Sequence, residues 1–262
     1  MHFVVGKRAK HLFGSLSLKK NDGSAGIPGE IRLLDADRLP QIMAIQKIIV
    51  DNLSNADMLE SFSANFMERH IEKQGFILGV FADKELVAFR NVYFPDQDDQ
   101  EWNLGIDIGL KKGELSKVAN LQMVCVIPPY RGNALAKKMN EHAITMIEKS
   151  RKYDHLCATV SPYNYWNIRV LLNSGFVIRT LKDKYQGKLR YILHRNLKKE
   201  TSNTFYDDSE TVGLTDFTRQ KTLFEKGYCG IEISEKSGLF TQKREELSNK
   251  FYLIFAKVKE KA

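Results

Sequence analysis

The chain has 262 residues, enough for a full core, and its 43% hydrophobic and 27% charged residues are the balance of an ordinary globular protein, which excludes a disordered or low-complexity one. No apolar run approaches the roughly eighteen residues of a membrane span, and His2-Phe3-Val4-Val5 ahead of Gly6-Lys7-Arg8 lacks the basic-then-apolar order of a secretory leader, so a membrane protein is set aside and a cytoplasmic one expected. The net charge is +8, but its densest clusters, Lys19-Lys20 and Lys198-Lys199, are too short to track a nucleic-acid backbone, which argues against nucleic acid, although a polyanionic ligand would also gain from a basic surround.

Residues 1–29 read as an N-terminal extension ending in a flexible joint, because Lys19 to Gly29 gathers glycines, a serine and a proline. Glu30 to Leu34 is a first strand, and Asp35-Ala36-Asp37 offers an N-cap to a helix with apolar Leu39, Ile42, Ile45 and Ile49. A second helix is expected from Asp57 to Lys73. Gly75 to Asp83 and Glu85 to Phe94 then form two strands joined tightly at Asp83-Lys84. The acidic stretch Pro95 to Trp102 reads as a solvated loop, or as one that attracts a cationic substrate, before a strand starting near Leu115.

That strand breaks at Pro128-Pro129, which can extend neither a ladder nor a helix, and the chain restarts after Tyr130-Arg131-Gly132. Leu135, Met139, Ala143, Met146 and Ile147 then recur at helical spacing, with Lys137, Lys138, Glu141 and Glu148 facing water. A helix starting just past a strand end points unpaired N–H groups and its positive dipole end outward. Small residues at 132, 134 and 136 would let a phosphate approach them. Downstream, Ala158-Thr159-Val160-Ser161-Pro162-Tyr163-Asn164 leads to a short helix, and Gly175-Phe176 opens the next strand, eleven residues after Asn164. Tyr185 to Leu193 closes a further hairpin.

These motifs, in this order, resemble the GNAT superfamily of N-acetyltransferases over roughly residues 30–198. The cofactor loop of that family, Arg/Gln-x-x-Gly-x-Gly/Ala, falls on Arg131, Ala134 and Ala136, so alanine replaces its first glycine. The resemblance implies an α/β (mixed α+β) fold, a central mixed, mostly antiparallel sheet flanked by helices, with a small C-terminal α/β appendage over 199–262. It implies acetyl-coenzyme A as co-substrate, with no metal, gripped by Arg131, Gly132, Asn133, Ala134, Leu135 and Ala136. The backbone of Val124 and Val126 would hold the thioester carbonyl and pantetheine arm, and Asn164 would bridge the cofactor's amides. The implied reaction is direct transfer of an acetyl group to a primary amine of a small molecule, peptide or protein. The alternative is a non-catalytic acyl-coenzyme A sensor or scaffold.

An amine with an ordinary pKa near 10.4 is helped by a base at neutral pH. Relatives place a glutamate on the cofactor strand, whereas this strand carries Asn120 and Gln122, leaving Glu101, Asp107 and Glu114 as acids nearby in sequence. The tyrosine that relatives use as acid falls on Leu171, so Tyr163, Tyr165 and Tyr185 are substitutes, and Tyr185 is preferred. His70, His142, His155 and His194 carry no ligand spacing, and His142 and His155 read as surface residues. Cys125, Cys157 and Cys229 form no Cys-x-x-Cys motif and cannot all pair, which suits a reducing compartment.

Past Asn196, Thr201 to Glu210 reads as a polar linker. Thr215-Asp216 caps a helix to Glu225 closed by Gly227, and Tyr228 to Ser234 and Phe251 to Val258 read as strands. This piece is too small for a core of its own, so it is expected to pack on the main domain or to make a homodimer contact.

Overall fold

The computed structural model describes residues 12–53, 55–198, 204–235 and 250–260. The first eleven residues of the expected extension, Lys199, and the start of the expected linker lie outside the described residues. In chain order the elements are strands β1 (Leu12–Leu18) and β2 (Ile27–Leu33), helices α1 (Leu39–Asp51) and α2 (Ala64–Glu72), strands β3 (Gly75–Ala82) and β4 (Glu85–Tyr93), and short helices α3 (Leu104–Asp107) and α4 (Lys112–Leu115). Strand β5 (Val118–Val126), helix α5 (Leu135–Ser150), strand β6 (His155–Val160), helix α6 (Tyr165–Leu172) and strands β7 (Val177–Lys184), β8 (Lys188–Asn196) and β9 (Thr204–Gly213) follow. Helix α7 (Phe217–Glu225) and strands β10 (Tyr228–Glu235) and β11 (Phe251–Glu260) complete the order. The chain divides into two compact units, Met1–Asp96 with Ala119–Lys152, and Gln97–Val118 with Tyr153–Ala262.

In the first unit β1 to β5 lie side by side in chain order, each pair antiparallel. The β3–β4 hairpin turns through Asp83 and Lys84, both at positive φ, the two-residue turn whose twist matches a hairpin. Every residue of β3 is buried, so both its faces are covered, and a Cβ at Gly79 would lie 2.5 Å from Leu34. Neighbouring side chains of β4 show what covers that strand. Arg90 hydrogen-bonds Asn140 of α5, and Asn91 meets His70 of α2, so helices pack on both faces. Helix α1 buries Ile42, Ile45 and Ile49 as its spacing predicts. The second helix is shorter than expected. A 3-10 turn at Ala56–Met58 precedes extended chain, and the Ser63 hydroxyl accepts from Phe66 N–H at 3.3 Å to start α2. The N-terminal segment also differs from expectation, because β1 pairs along β2 and, of the residues read as a flexible joint, 19–26 form the turn between them and 27–29 open β2, with Gly23 and Gly26 at positive φ.

In the second unit the strand order is β6-β8-β7-β10-β11-β9, again antiparallel throughout. The segment read as a polar linker is mostly β9, paired along β11. An edge strand needs one ladder only and tolerates polar residues, which hides it from periodicity. Helix α7 follows the sequence reading, since Asp216 Oδ1 accepts from Arg219 N–H at 3.0 Å and Gly227 ends it at positive φ. Beneath it the buried Tyr191 hydroxyl donates to Gln220 Oε1 at 2.6 Å. The strand expected from Leu115 starts instead at Val118, because Glu114 accepts from Lys111 N–H at 3.0 Å and closes the turn of α4.

Among the described residues no helix is long and apolar enough to cross a membrane, and no group of three or more His, Cys, Asp or Glu side chains is placed to hold a metal ion. The three cysteines are unpaired and buried, and burial pushes the Cys125 thiol up to about 12, far from a reactive thiolate.

Candidate functional site

The strand–turn–helix of the first unit is built from short local bonds. After β5, Tyr130 N–H donates to Ile127 O at 3.1 Å and Arg131 N–H to Pro128 O at 3.2 Å, one tight 3-10 turn over the two prolines. Tyr130 and Leu135 sink into a cluster with Met139, Ala88 and Val80, which fixes the turn and the first turn of α5 on the sheet. Gly132 has φ +84 and an added Cβ there would meet nothing within 4 Å, so its glycine serves the backbone angle alone. Ala134, the N-cap of α5, is also left-handed, at φ 54 and ψ 28, with a methyl that cannot cap. Alanine thus holds a backbone conformation that glycine adopts more readily.

The next main-chain donor in this stretch to find a partner is Lys138 N–H, on Ala134 O at 3.0 Å. Among the described residues no acceptor meets the N–H groups of Gly132 to Lys137. These donors sit at the positive end of a sixteen-residue helix, beside exposed Arg131, whose Nε reaches Val126 O at 3.4 Å. Ile127 N–H donates to Val87 O at 3.0 Å, so alternation along the antiparallel ladder turns the N–H groups of Val124 and Val126 away from β4. Their side chains pack against the cluster under α5. Val124, Val126, Arg131, Gly132, Asn133, Ala134, Leu135 and Ala136 thus fall on one continuous strand–turn–helix.

Asn133 faces a different partner. Its Oδ1 accepts from Lys19 N–H at 3.0 Å, and its Nδ2 donates to Lys19 O at 2.7 Å and Tyr130 O at 2.8 Å. Asn21 N–H and Nδ2 donate to Pro129 O and Pro128 O at 2.9 Å and 2.8 Å. The β1–β2 turn therefore grips the loop, an arrangement that sequence reasoning missed. The signal present was Lys19-Lys20-Asn21 ahead of a glycine turn, which composition reads as a joint.

Asn164 and Tyr185 belong to the second unit. Asn164 is the N-cap of α6, its Oδ1 accepting from Asn167 N–H at 3.2 Å. Tyr185 lies in the β7–β8 turn at φ 51, only 8% exposed, with its ring stacked on Trp102 and its hydroxyl 3.0 Å from Thr159 Oγ1. Leu171 is buried, as a packing residue would be. Asp107 is matched by Lys184 at 2.9 Å and Lys182 at 3.5 Å, and Glu114 is engaged by Lys111 and by His155, so neither carboxylate stands apart from its neighbours. The acidic loop is likewise used by its own backbone, Asp99 Oδ1 accepting from Trp102 N–H at 3.0 Å. One histidine departs from expectation: His155, read as a surface residue, is buried, and its Nδ1 lies 3.0 Å from His194 Nε2; His70 is buried as well.

Among solved structures the chain is similar to an acetyltransferase of the GNAT family from Streptococcus pneumoniae, at 18% identity and a TM-score of 0.48 over 64% of this chain and 98% of that one. It is also similar to the ribosomal-protein-S18-alanine N-acetyltransferase from Escherichia coli, at 18% and 0.47 over 64% and 94%. An N-acetyltransferase from Staphylococcus aureus Mu50 gives 15% and 0.48 over 64% and 98%. No family model matches the chain, and no curated protein matches it.

Proposed function

We propose that the chain is an acyl-coenzyme A-dependent N-acetyltransferase, moving an acetyl group by direct transfer to a primary amine of a small molecule, peptide or protein. The observation that carries this reading is the run of unmatched N–H groups from Gly132 to Lys137 at the positive end of α5, directly after a strand that turns two further N–H groups away from β4. Such an array suits a diphosphate. The donors fit the group: Arg131 and the loop amides would hold the phosphates, and Val124 and Val126 would pair with the pantetheine arm. Acetyl-coenzyme A supplies the activated thioester carbonyl. A main-chain N–H at Val124 or Val126 would stabilise negative charge on that oxygen. In the second unit, Asn164 and Tyr185 are the candidates for holding cofactor amides and for supplying a proton to the departing thiolate. Of the three acids near β5 in sequence, Asp107 and Glu114 are engaged, which leaves Glu101 or water to take the amine's proton and favours catalysis chiefly through positioning.

The second reading, a non-catalytic acyl-coenzyme A sensor, is favoured by β5 itself, which carries Asn120 and Gln122 and no carboxylate. One experiment separates the readings. Acetyl-coenzyme A at a hundred times its dissociation constant stabilises a protein by about 2.7 kcal/mol, a readable shift in melting temperature. That shift is expected for the parent and absent for Ala134→Asp, because aspartate caps helices, tolerates the left-handed conformation and brings its own charge to the amides. Amine-dependent release of free thiol identifies the enzyme. A thermal shift without thiol release from any amine in the panel leaves the sensor, and an unchanged shift in Ala134→Asp removes the loop from the binding site.

A further inference from the structure

The loop that carries the unmatched amides is poorly held by its own sequence. Between Ile127 and the first helical bond at Lys138, its internal main-chain bonds are the two of the 3-10 turn, and Ala134 sits in a left-handed conformation that a residue with a Cβ resists. Strained backbone persists only where the surroundings over-determine it. Here the surroundings are the β1–β2 turn. Asn133, the residue before Ala134, has both ends of its amide engaged, accepting from Lys19 N–H and donating to Lys19 O and Tyr130 O. Aspartate lacks the donor, and alanine lacks both functions. Two further bonds, from the main chain and side chain of Asn21, fasten the proline carbonyls on the other side of the loop.

The gripping turn is itself locked. Lys20 N–H donates to Ser24 O at 2.8 Å, Gly23 N–H donates to Lys20 O at 3.1 Å, and Asp22 Oδ1 accepts from Ser24 N–H at 2.8 Å. The Lys20 ammonium stands 5.6 Å from the centre of the Tyr130 ring, over the residue that anchors the loop in the core. A rigid hairpin is thus clasped to a strained loop by an amide whose donor and acceptor are both in use.

Resting on the coenzyme A reading, we infer that Asn133 and Asn21 are positioning residues, through which the β1–β2 hairpin presets the Gly132–Lys137 amides for the diphosphate. Residues 19–21 then set affinity for the phosphate-bearing half of the ligand without touching it.

The test compares two ligands on the full chain: coenzyme A by calorimetric titration, and pantetheine, which has the arm but no phosphates, by proton saturation transfer. Asn133→Ala and Asn21→Ala are each expected to weaken coenzyme A about tenfold, since small misplacements of a preorganised site are costly, and to leave pantetheine unchanged. Asn21 is exposed, so its replacement leaves the core intact, and circular dichroism checks that both variants fold. Parent-like coenzyme A affinity in both variants, or equal losses for both ligands as from general loosening, overturns the inference. A parent chain that binds no coenzyme A overturns the functional reading and this inference with it.

Discussion

Two residues of the loop, one on each side of Asn133, share a backbone hand that side chains resist, and they answer it differently. Gly132 meets its φ of +84 with no Cβ, whereas Ala134 holds φ 54 with one. Replacing Gly132 by alanine adds a methyl to open space, so any destabilisation reports backbone strain, less the freedom that the unfolded chain loses. A loss of about 1 kcal/mol is expected in urea midpoints. Ala134→Gly runs the other way. Relief of left-handed strain outweighs the added freedom of the unfolded chain, and a gain of about 0.5–1 kcal/mol is expected. A destabilised Ala134→Gly would mean that the methyl contributes packing that its exposed position does not suggest. Arg90 is a contrasting residue, a guanidinium buried between β4 and α5 with Asn140 as its side-chain partner. Burial holds it below its usual range.

Elements with a strong period were legible in the sequence, and those whose order comes from a partner were not. Helix α5 announced its buried face, though Asn140 and Ile144 add to it, and α7 announced both ends. The β1–β2 turn looked like a joint because glycine and serine signal bends, while its order is supplied by carbonyls more than a hundred residues away. Strand β9 read as a linker because an edge strand has no obligatory alternation. The loop amides were legible from the proline break and the small residues. Their grip by Lys19 and Asn21 was not, because long-range hydrogen bonds leave no periodic trace. Helix α2 shows the same limit, since His70, which looked uninformative, fastens it to β4. Its Nδ1 meets the Asn91 amide, its ring stacks on Tyr93 at 4.4 Å, and Phe66 and Arg69 flank it on α2. Desolvation, offset by the Asn91 hydrogen bond, lowers its pKa from 6.5 to about 4. The unfolded chain therefore binds this proton first. The stability that His70 contributes is complete above about pH 6.5 and is lost as pH falls toward about 4. Between pH 7.5 and pH 5, the parent should lose about 2 kcal/mol more than His70→Gln, which keeps an amide for Asn91. Parallel urea midpoints for the two proteins would show no pH-dependent gap if His70 were free to protonate in the folded state.

At the scale of the molecule, the C-terminal part of the second unit decides whether the preceding strands can stand alone. Strand β10 pairs with β7 at Gly230 opposite Ile178, Tyr165 of α6 stacks on Phe251 at 4.3 Å, and Tyr191 of β8 donates to Gln220 of α7. Leu223, Leu253 and Phe255 are wholly buried in the same unit. Each large apolar side chain withdrawn from water is worth about 1.5–3 kcal/mol, against a net stability of about 5–15 kcal/mol for a whole domain. A chain ended after Lys198 loses several such side chains together, uncovers Tyr165 and Tyr191, and leaves the edge of β7 without a neighbour. Open strand edges with apolar surroundings pair with other chains. The shortened protein is expected to elute as aggregates in size-exclusion chromatography and to lack a cooperative thermal transition. A monomer that melts at the parent's temperature would show that residues 1–198 fold on their own and that β9 to β11 are ornament on a finished sheet. The β1–β2 turn clasping the loop at Asn133 and the C-terminal strands covering β7 both lie outside the stretch resembling acetyltransferases, and each completes its own unit.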